Sequence, residues 1–113
     1  MMSNGGVLGT ETASRFPVRM MESGPAAGAL VASYYAERLG LDRLLSFDMG
    51  GTTAKACLIE DRKPTVTGLF EVDRMYRFKA GSGMPVIIPA IDMIEIGAGG
   101  GSLASVDALG LLK

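Results

Sequence analysis

The stretch FDMGGTTAK, residues 47–55, sets an acid, two glycines, two threonines and a lysine between two apolar runs. Gly50 and Gly51 carry no side chains, so successive backbone N–H groups there can turn toward one point and hold an anion. Thr52 and Thr53 add hydroxyl donors at the same corner, and Lys55, two residues on, shares a face with Thr53 and Cys57. Asp48 would repel an anion held so close unless a cation stood between them, which makes Mg²⁺ the economical bridge. A second reading stays open on spacing alone. The pair of glycines then only turns a hairpin, and Asp48 accepts a hydrogen bond within the turn.

Upstream, ESGPAAGALVASYYAERLGLD predicts a helix over residues 25–39, with Ser23 and Gly24 before Pro25 and with Gly40 just past the end. Ala27, Leu30, Val31 and Tyr34 fall at helical spacing and are expected to form its apolar face. RLLSFDMG and AKACLIED then read as strand, turn, strand. PTVTGLFEV alternates Val66, Phe70 and Val72 with Thr65, Thr67 and Glu71, which predicts a third strand and a three-stranded meander over residues 44–72. Residues 73–83, with Arg74, Arg77 and Lys79 among Tyr76 and Phe78, read as a solvated loop or edge. Residues 90–96 read as a further strand, broken from the rest by Pro85 and Pro89. The last residues, SLASVD and LGLLK, read as short strands around a turn at 107–110. The architecture expected is α/β: one helix on a mixed sheet.

Bulk properties narrow the function. The chain has 113 residues, one domain's worth or less, with 48% hydrophobic residues, 20% charged and a net charge of −1. No basic excess points to nucleic acid. The single cysteine, Cys57, precludes an internal disulfide and fits a reducing compartment, so the cytoplasm is the expectation. Residues 1–11 show no basic region followed by an apolar one, and no apolar run approaches a membrane span of roughly 18 residues. Histidine is absent, so chemistry here must use carboxylates, hydroxyls, lysine or a bound ion.

Two other glycine stretches could meet a ligand. GAGGGS, residues 97–102, has Ser102 where a dinucleotide-binding fingerprint needs its last glycine, so that reading fails. A close backbone approach, to a ligand or to another strand, and a plain glycine bend both remain open there. SGPAAG, residues 23–28, stands at a helix start where N–H groups converge, either as an anion site or as ordinary capping with close helix packing.

SNGG at residues 3–6, SGPAAGA at 23–29, FDMGGTTAKACLI at 47–59 and IDMIEIGAGGGSLASVD at 91–107 together resemble the hydantoinase A/oxoprolinase family. The blocks span almost the whole chain. That family includes ATP-dependent enzymes that open cyclic amides, such as hydantoins and 5-oxoproline, and ATP-dependent ketone carboxylase subunits. The resemblance implies part of an actin, Hsp70 and sugar-kinase-like (ribonuclease H-like) ATPase half, with residues 44–72 as its phosphate hairpin and ATP and Mg²⁺ as cofactors. It implies Asp48 as the metal ligand, through water, with Gly50 and Gly51 contacting phosphate by backbone and Thr52 and Thr53 by hydroxyl; Lys55, on the same face, and Gly99 and Gly100, in the second glycine cluster, join them as candidate cofactor-binding residues. Many relatives carry a histidine two residues after the aspartate of the fourth block. Ile94 stands there, leaving Asp92 or Glu95 to serve alone.

Relatives of this kind run to several hundred residues, so the chain reads as a single incomplete domain, expected to work with further domains or a partner subunit. The parent chemistry implied is phosphoryl activation of a cyclic amide or ketone oxygen, and the isolated chain is expected to be inactive. An open sheet edge is expected to pair with a second copy. A sugar- or acetate-kinase-like fragment, or a noncatalytic glycine-rich module, are the alternatives. SGPAAGA and GAGGGSLASVD weigh against the kinase.

Overall fold

A computed structural model describes residues 1–76 and 79–113. Arg77 and Phe78, part of the basic stretch read as a solvated loop, lie outside the described residues. The chain opens with a short helix α1 (Thr10–Arg15) and a 3₁₀ turn at Pro17–Met20, neither expected from the sequence, and then enters the main helix α2 (Ser23–Leu39).

The expected helix is present and starts two residues earlier. Glu22 stands at its N-cap without capping by its side chain, and its N–H donates instead to the Ser3 hydroxyl at 3.1 Å. That hydroxyl in turn donates to the Arg19 carbonyl at 2.9 Å, and Ser3 is fully buried. At the other end Gly40 adopts φ 67, a left-handed conformation that costs glycine little, and Leu41 N–H returns to the Ala36 carbonyl at 2.9 Å.

The apolar face of α2 differs from expectation. Ala26, Ala29 and Ala36 are fully buried, whereas Leu30, Val31 and Tyr34 are exposed. Alanines let the helix axis come close to the sheet; larger side chains at those positions would hold it off. The core lies at this contact, where the three alanines meet Cys57, Ile59 and Ile91.

Strands β1 (Arg43–Met49) and β2 (Ala54–Glu60) form the expected hairpin, paired from Arg43↔Glu60 to Met49↔Ala54. β3 (Lys63–Pro64) pairs with the end of β2, but the predicted third strand does not continue. β4 (Val66–Thr67) and β5 (Phe70–Val72) leave for two other ladders, on β7 (Ala90–Ile91) and β6 (Met84–Val86) respectively. Pro64 has no N–H for a ladder, and at Gly68 the Thr67 hydroxyl both accepts from Leu69 N–H and donates to its carbonyl. Such local bonds replace strand pairing, so the meander is cut short.

The strand read over residues 90–96 is likewise two pieces. β7 serves β4, while β8 (Ile94–Ile96) runs beside the start of β2 through Lys55↔Glu95. Every ladder is antiparallel, so the sheet is not mixed. The turn at 107–110 is present, with Gly110 N–H on the Asp107 carbonyl at 3.0 Å, but its flanks reduce to one bridge, Val106↔Leu112.

Alternation along the strands gives the central sheet two unlike faces. Leu44, Ser46 and Asp48 share the helix side with Ile59, Cys57 and Lys55; Leu45, Phe47, Met49, Leu58 and Ile94 lie on the other, all exposed. The radius of gyration is 15.8 Å, against roughly 13 Å for a close-packed chain of this length. No helix among the described residues is long and apolar enough to cross a membrane.

Candidate functional site

The β1–β2 turn is an open corner. Gly50, Gly51 and Thr52 are exposed, and Asp48 is exposed at the end of β1. Gly50 N–H closes the turn on the Thr53 carbonyl at 3.0 Å. Among the described residues, Gly51 and Thr52 N–H donate to no protein acceptor, so both remain available at the corner. Nothing stands within 4 Å of where a side chain on Gly51 would begin.

The glycine cluster supports this corner from beneath. A Cβ added to Gly99 would overlap the Gly51 carbonyl and stand 2.6 Å from the Thr52 nitrogen, so only glycine fits. Gly100 N–H donates to the Gly50 carbonyl at 2.9 Å, and Gly99 N–H to the Ser102 hydroxyl at 3.0 Å. Of the readings of GAGGGS, the geometry shows a close backbone approach, made to the β1–β2 turn. The Gly100 N–H is taken up in holding the turn, and the Gly99 N–H in closing its own segment on Ser102.

Lys55 meets the corner at Thr53. Its ammonium donates to Thr53 Oγ1 at 2.9 Å and to Glu95 Oε1 at 3.0 Å, and lies 3.9 Å from Glu22 Oε2, beyond hydrogen-bond reach. Thr53 and Lys55 do share a face, as the spacing predicts. Cross-strand pairing sets Asp48, Lys55 and Glu95 in one row over three strands.

Below that row lies a cleft of about 470 Å³ between the start of α2, β2, β8 and the segment around β4 and β5. Its wall carries five carboxylates, Glu22, Glu71, Asp73, Asp92 and Glu95, against two cations, Lys55 and Arg74. Glu71 is paired with Arg74 at 2.8 Å, and Lys55 is paired with Glu95 at 3.0 Å and more loosely with Glu22 at 3.9 Å, so among the described residues Asp73 and Asp92 have no ion-pair partner. Glu22 is constrained in another way. Its side chain is only 14% exposed, and its buried Oε2 accepts no hydrogen bond. Burial pushes the Glu22 carboxyl above its usual range; the Lys55 ammonium partly offsets this, and Glu95 adds to the rise. Burial, and secondarily Asp92, also raises the Cys57 thiol, which keeps it protonated and poorly nucleophilic.

Neither Glu22 nor Ser3 has a local signal in the sequence. Glutamate is not a favoured cap, and its partner Lys55 lies far along the chain, so only the folded sheet brings them together. The start of α2 therefore donates Glu22 N–H to Ser3, and the sequence-based reading of SGPAAG as close helix packing matches the buried Ala26.

The corner fits a phosphate with magnesium on the chemistry of its donors: free N–H groups and hydroxyls beside one carboxylate. Among the described residues no three metal-ligating side chains converge. Magnesium suits that arrangement, since it keeps several waters and takes one or two carboxylates plus phosphate oxygens.

The family model described as hydantoinase/oxoprolinase matches residues 1–113. An uncharacterized protein of Methanocaldococcus jannaschii is 44% identical over 95% of the chain, and the caprolactamase alpha subunit of Pseudomonas jessenii is 30% identical over 98%. The nucleotide-free structure of acetone carboxylase, solved in work on ATP-dependent acetone carboxylation, superposes with a TM-score of 0.70 at 26% identity, covering the whole chain. The chain spans 16% and 15% of the two relatives' lengths and 14% of the acetone carboxylase chain.

Proposed function

Because this chain belongs to the hydantoinase/oxoprolinase family, we propose that it supplies the phosphate-binding corner of an ATP-dependent enzyme that opens cyclic amides. The observation that carries this reading is the open 50–53 turn, with unpaired Gly51 and Thr52 N–H groups beside exposed Asp48. Gly51, Thr52 and Thr53 hold phosphate oxygens by N–H and hydroxyl. Asp48 holds Mg²⁺ through water. Gly50, Gly99 and Gly100 keep the corner in shape from below, and Lys55 fixes Thr53 by its hydrogen bond.

Mg-ATP, when bound, would supply the phosphoryl group that activates the amide oxygen. The residues of this chain position and neutralise rather than attack, as phosphoryl transfer requires. The fold reading that goes with this is part of an actin, Hsp70 and sugar-kinase-like ATPase half, with the nucleotide clasped between two halves. Two observations support the need for further domains or a partner subunit: the exposed apolar face at Leu45, Phe47, Met49, Leu58 and Ile94, and the fact that caprolactamase is itself built of subunits. We place the enzyme in the cytoplasm, where the free Cys57 thiol stays reduced.

Calorimetry with Mg-ADP and Mg-ATP, on the chain and on Asp48→Ala, tests the proposal. Mg-dependent binding lost in Asp48→Ala is expected, without turnover by the isolated chain. Binding that ignores magnesium and Asp48 would overturn it.

A further inference from the structure

SNGG, residues 3–6, takes no part in the corner or the cleft, yet it holds the chain's one carboxamide side chain: beside Asn4 the sequence has no other asparagine and no glutamine. Asparagine is thermolabile, and glycine in the next position leaves the attacking nitrogen unshielded. In an open chain the Gly5 nitrogen attacks Asn4 Cγ. An N–Cγ bond forms, the Cγ–Nδ2 bond breaks, and ammonia leaves with the proton that Gly5 gave up. Water then opens the succinimide at one of its two carbonyls, giving aspartate or, with the main chain rerouted through the side chain, isoaspartate.

The fold holds both reacting groups off this path. Gly5 N–H donates to the Met2 carbonyl at 2.9 Å, which closes a turn around Ser3 and Asn4, and Asn4 Oδ1 accepts from Gly6 N–H at 3.0 Å. Ser3 and Asn4 both keep negative φ, so the turn is type I and ψ at Asn4 lies near zero. A five-membered imide needs Asn4 Cβ eclipsed with the Gly5 nitrogen about the Cα–C bond; at that ψ the Asn4 nitrogen is eclipsed instead. Buried Ser3 locks the turn in place. Its N–H donates to the Arg19 carbonyl at 2.7 Å, its hydroxyl bridges that carbonyl and Glu22 N–H, and its own carbonyl accepts Ile91 N–H at 2.9 Å. The same turn demands the glycine that makes Asn4 labile: Gly5 has φ 85, and a Cβ there would stand 2.8 Å from Leu30 Cδ1.

We propose that Asn4 is a site of spontaneous deamidation gated by this turn, and that isoaspartate formed there releases the start of α2. The added main-chain carbon breaks the closure of Gly5 on Met2 and loosens the hold of Ser3 on Glu22 N–H.

The test is intact-mass spectrometry of the chain aged at neutral pH, which reads the exchange of NH₂ for OH. With no other carboxamide present, every such event belongs to Asn4. The folded chain is expected to deamidate at least about tenfold more slowly than the same chain unfolded in urea, because reaction waits for local opening. Ser3→Ala should speed the folded reaction by about fivefold or more, with Gly5 N–H exchanging faster in step. In chains purified after conversion to isoaspartate, Glu22 N–H should exchange faster than in unreacted chains. Equal rates folded and unfolded, or a folded Ser3→Ala chain that deamidates no faster than wild type, would overturn the gate. Unchanged Glu22 exchange in the isoaspartate form would overturn the release of α2. If Ser3→Ala does not fold, the ratio of folded to unfolded rates in wild type decides the gate by itself.

Discussion

Gly99 and Gly51 meet backbone to backbone: a side-chain carbon on Gly99 would overlap the Gly51 carbonyl. The contact joins two glycine motifs almost fifty residues apart, and it makes the shape of the 50–53 corner depend on the segment after β8. Gly99→Ala is expected to destabilise the chain by about 1–3 kcal/mol, the range for forcing atoms into a packed site. Gly101, which has nothing within 4 Å of its Cβ position, serves as the control: Gly101→Ala should stay within about 0.5 kcal/mol. Urea midpoints at fixed slope report both.

Ser3 ties the N-terminal segment to the start of α2 by one donated and one accepted hydrogen bond, while fully buried. Ser3→Ala leaves Glu22 N–H without its acceptor, while the Arg19 carbonyl keeps the Ser3 N–H at 2.7 Å, at a cost of about 1–3 kcal/mol. Hydrogen exchange at Glu22 N–H should accelerate in step.

Glutamate 22 gives stability a pH signature of known sign. Its carboxyl is raised in the folded chain by burial, so between the unfolded value of 4.5 and the higher folded one the native state binds more protons than the unfolded state. The contribution of this group is therefore fully present below pH 4.5 and falls as pH rises through the folded value. Subtracting the pH profile of Glu22→Gln from that of wild type isolates it. The difference should show wild type losing stability relative to the variant with rising pH; a gain would reverse the sign and contradict the desolvation account.

The hairpin, the main helix and the glycine corner were legible because each has a local cause: apolar runs around Gly50 and Gly51, and the start and stop signals around Pro25 and Gly40. What was not legible depends on distant partners. The periodicity of α2 drew attention to Leu30, Val31 and Tyr34, yet the sheet takes Ala26, Ala29 and Ala36, because closeness of approach outweighed side-chain size. The third strand failed at Pro64 and Gly68, where ladder bonds could not continue. Lys55 was placed on the correct face but its carboxylate neighbours were invisible, since Glu22 and Glu95 reach it from two other elements.

Ala29 tests the alanine face directly. Ala29→Leu forces a large side chain into a fully buried position against the sheet and should cost about 1–3 kcal/mol, whereas Val31→Ala on the exposed side should change little, within about 0.5 kcal/mol. Thermal or urea unfolding compares the two.

Asp48 is exposed at the end of β1, so replacing it should leave stability within about 0.5 kcal/mol while removing magnesium-dependent nucleotide binding. The most direct measurement follows Gly51 and Thr52 amide resonances during a Mg-ADP titration of wild type and Asp48→Ala. Saturable shifts at both amides in wild type, absent without magnesium and absent in Asp48→Ala, are the result predicted. Amides that stay still in wild type, or that move equally in the variant, would contradict the phosphate corner.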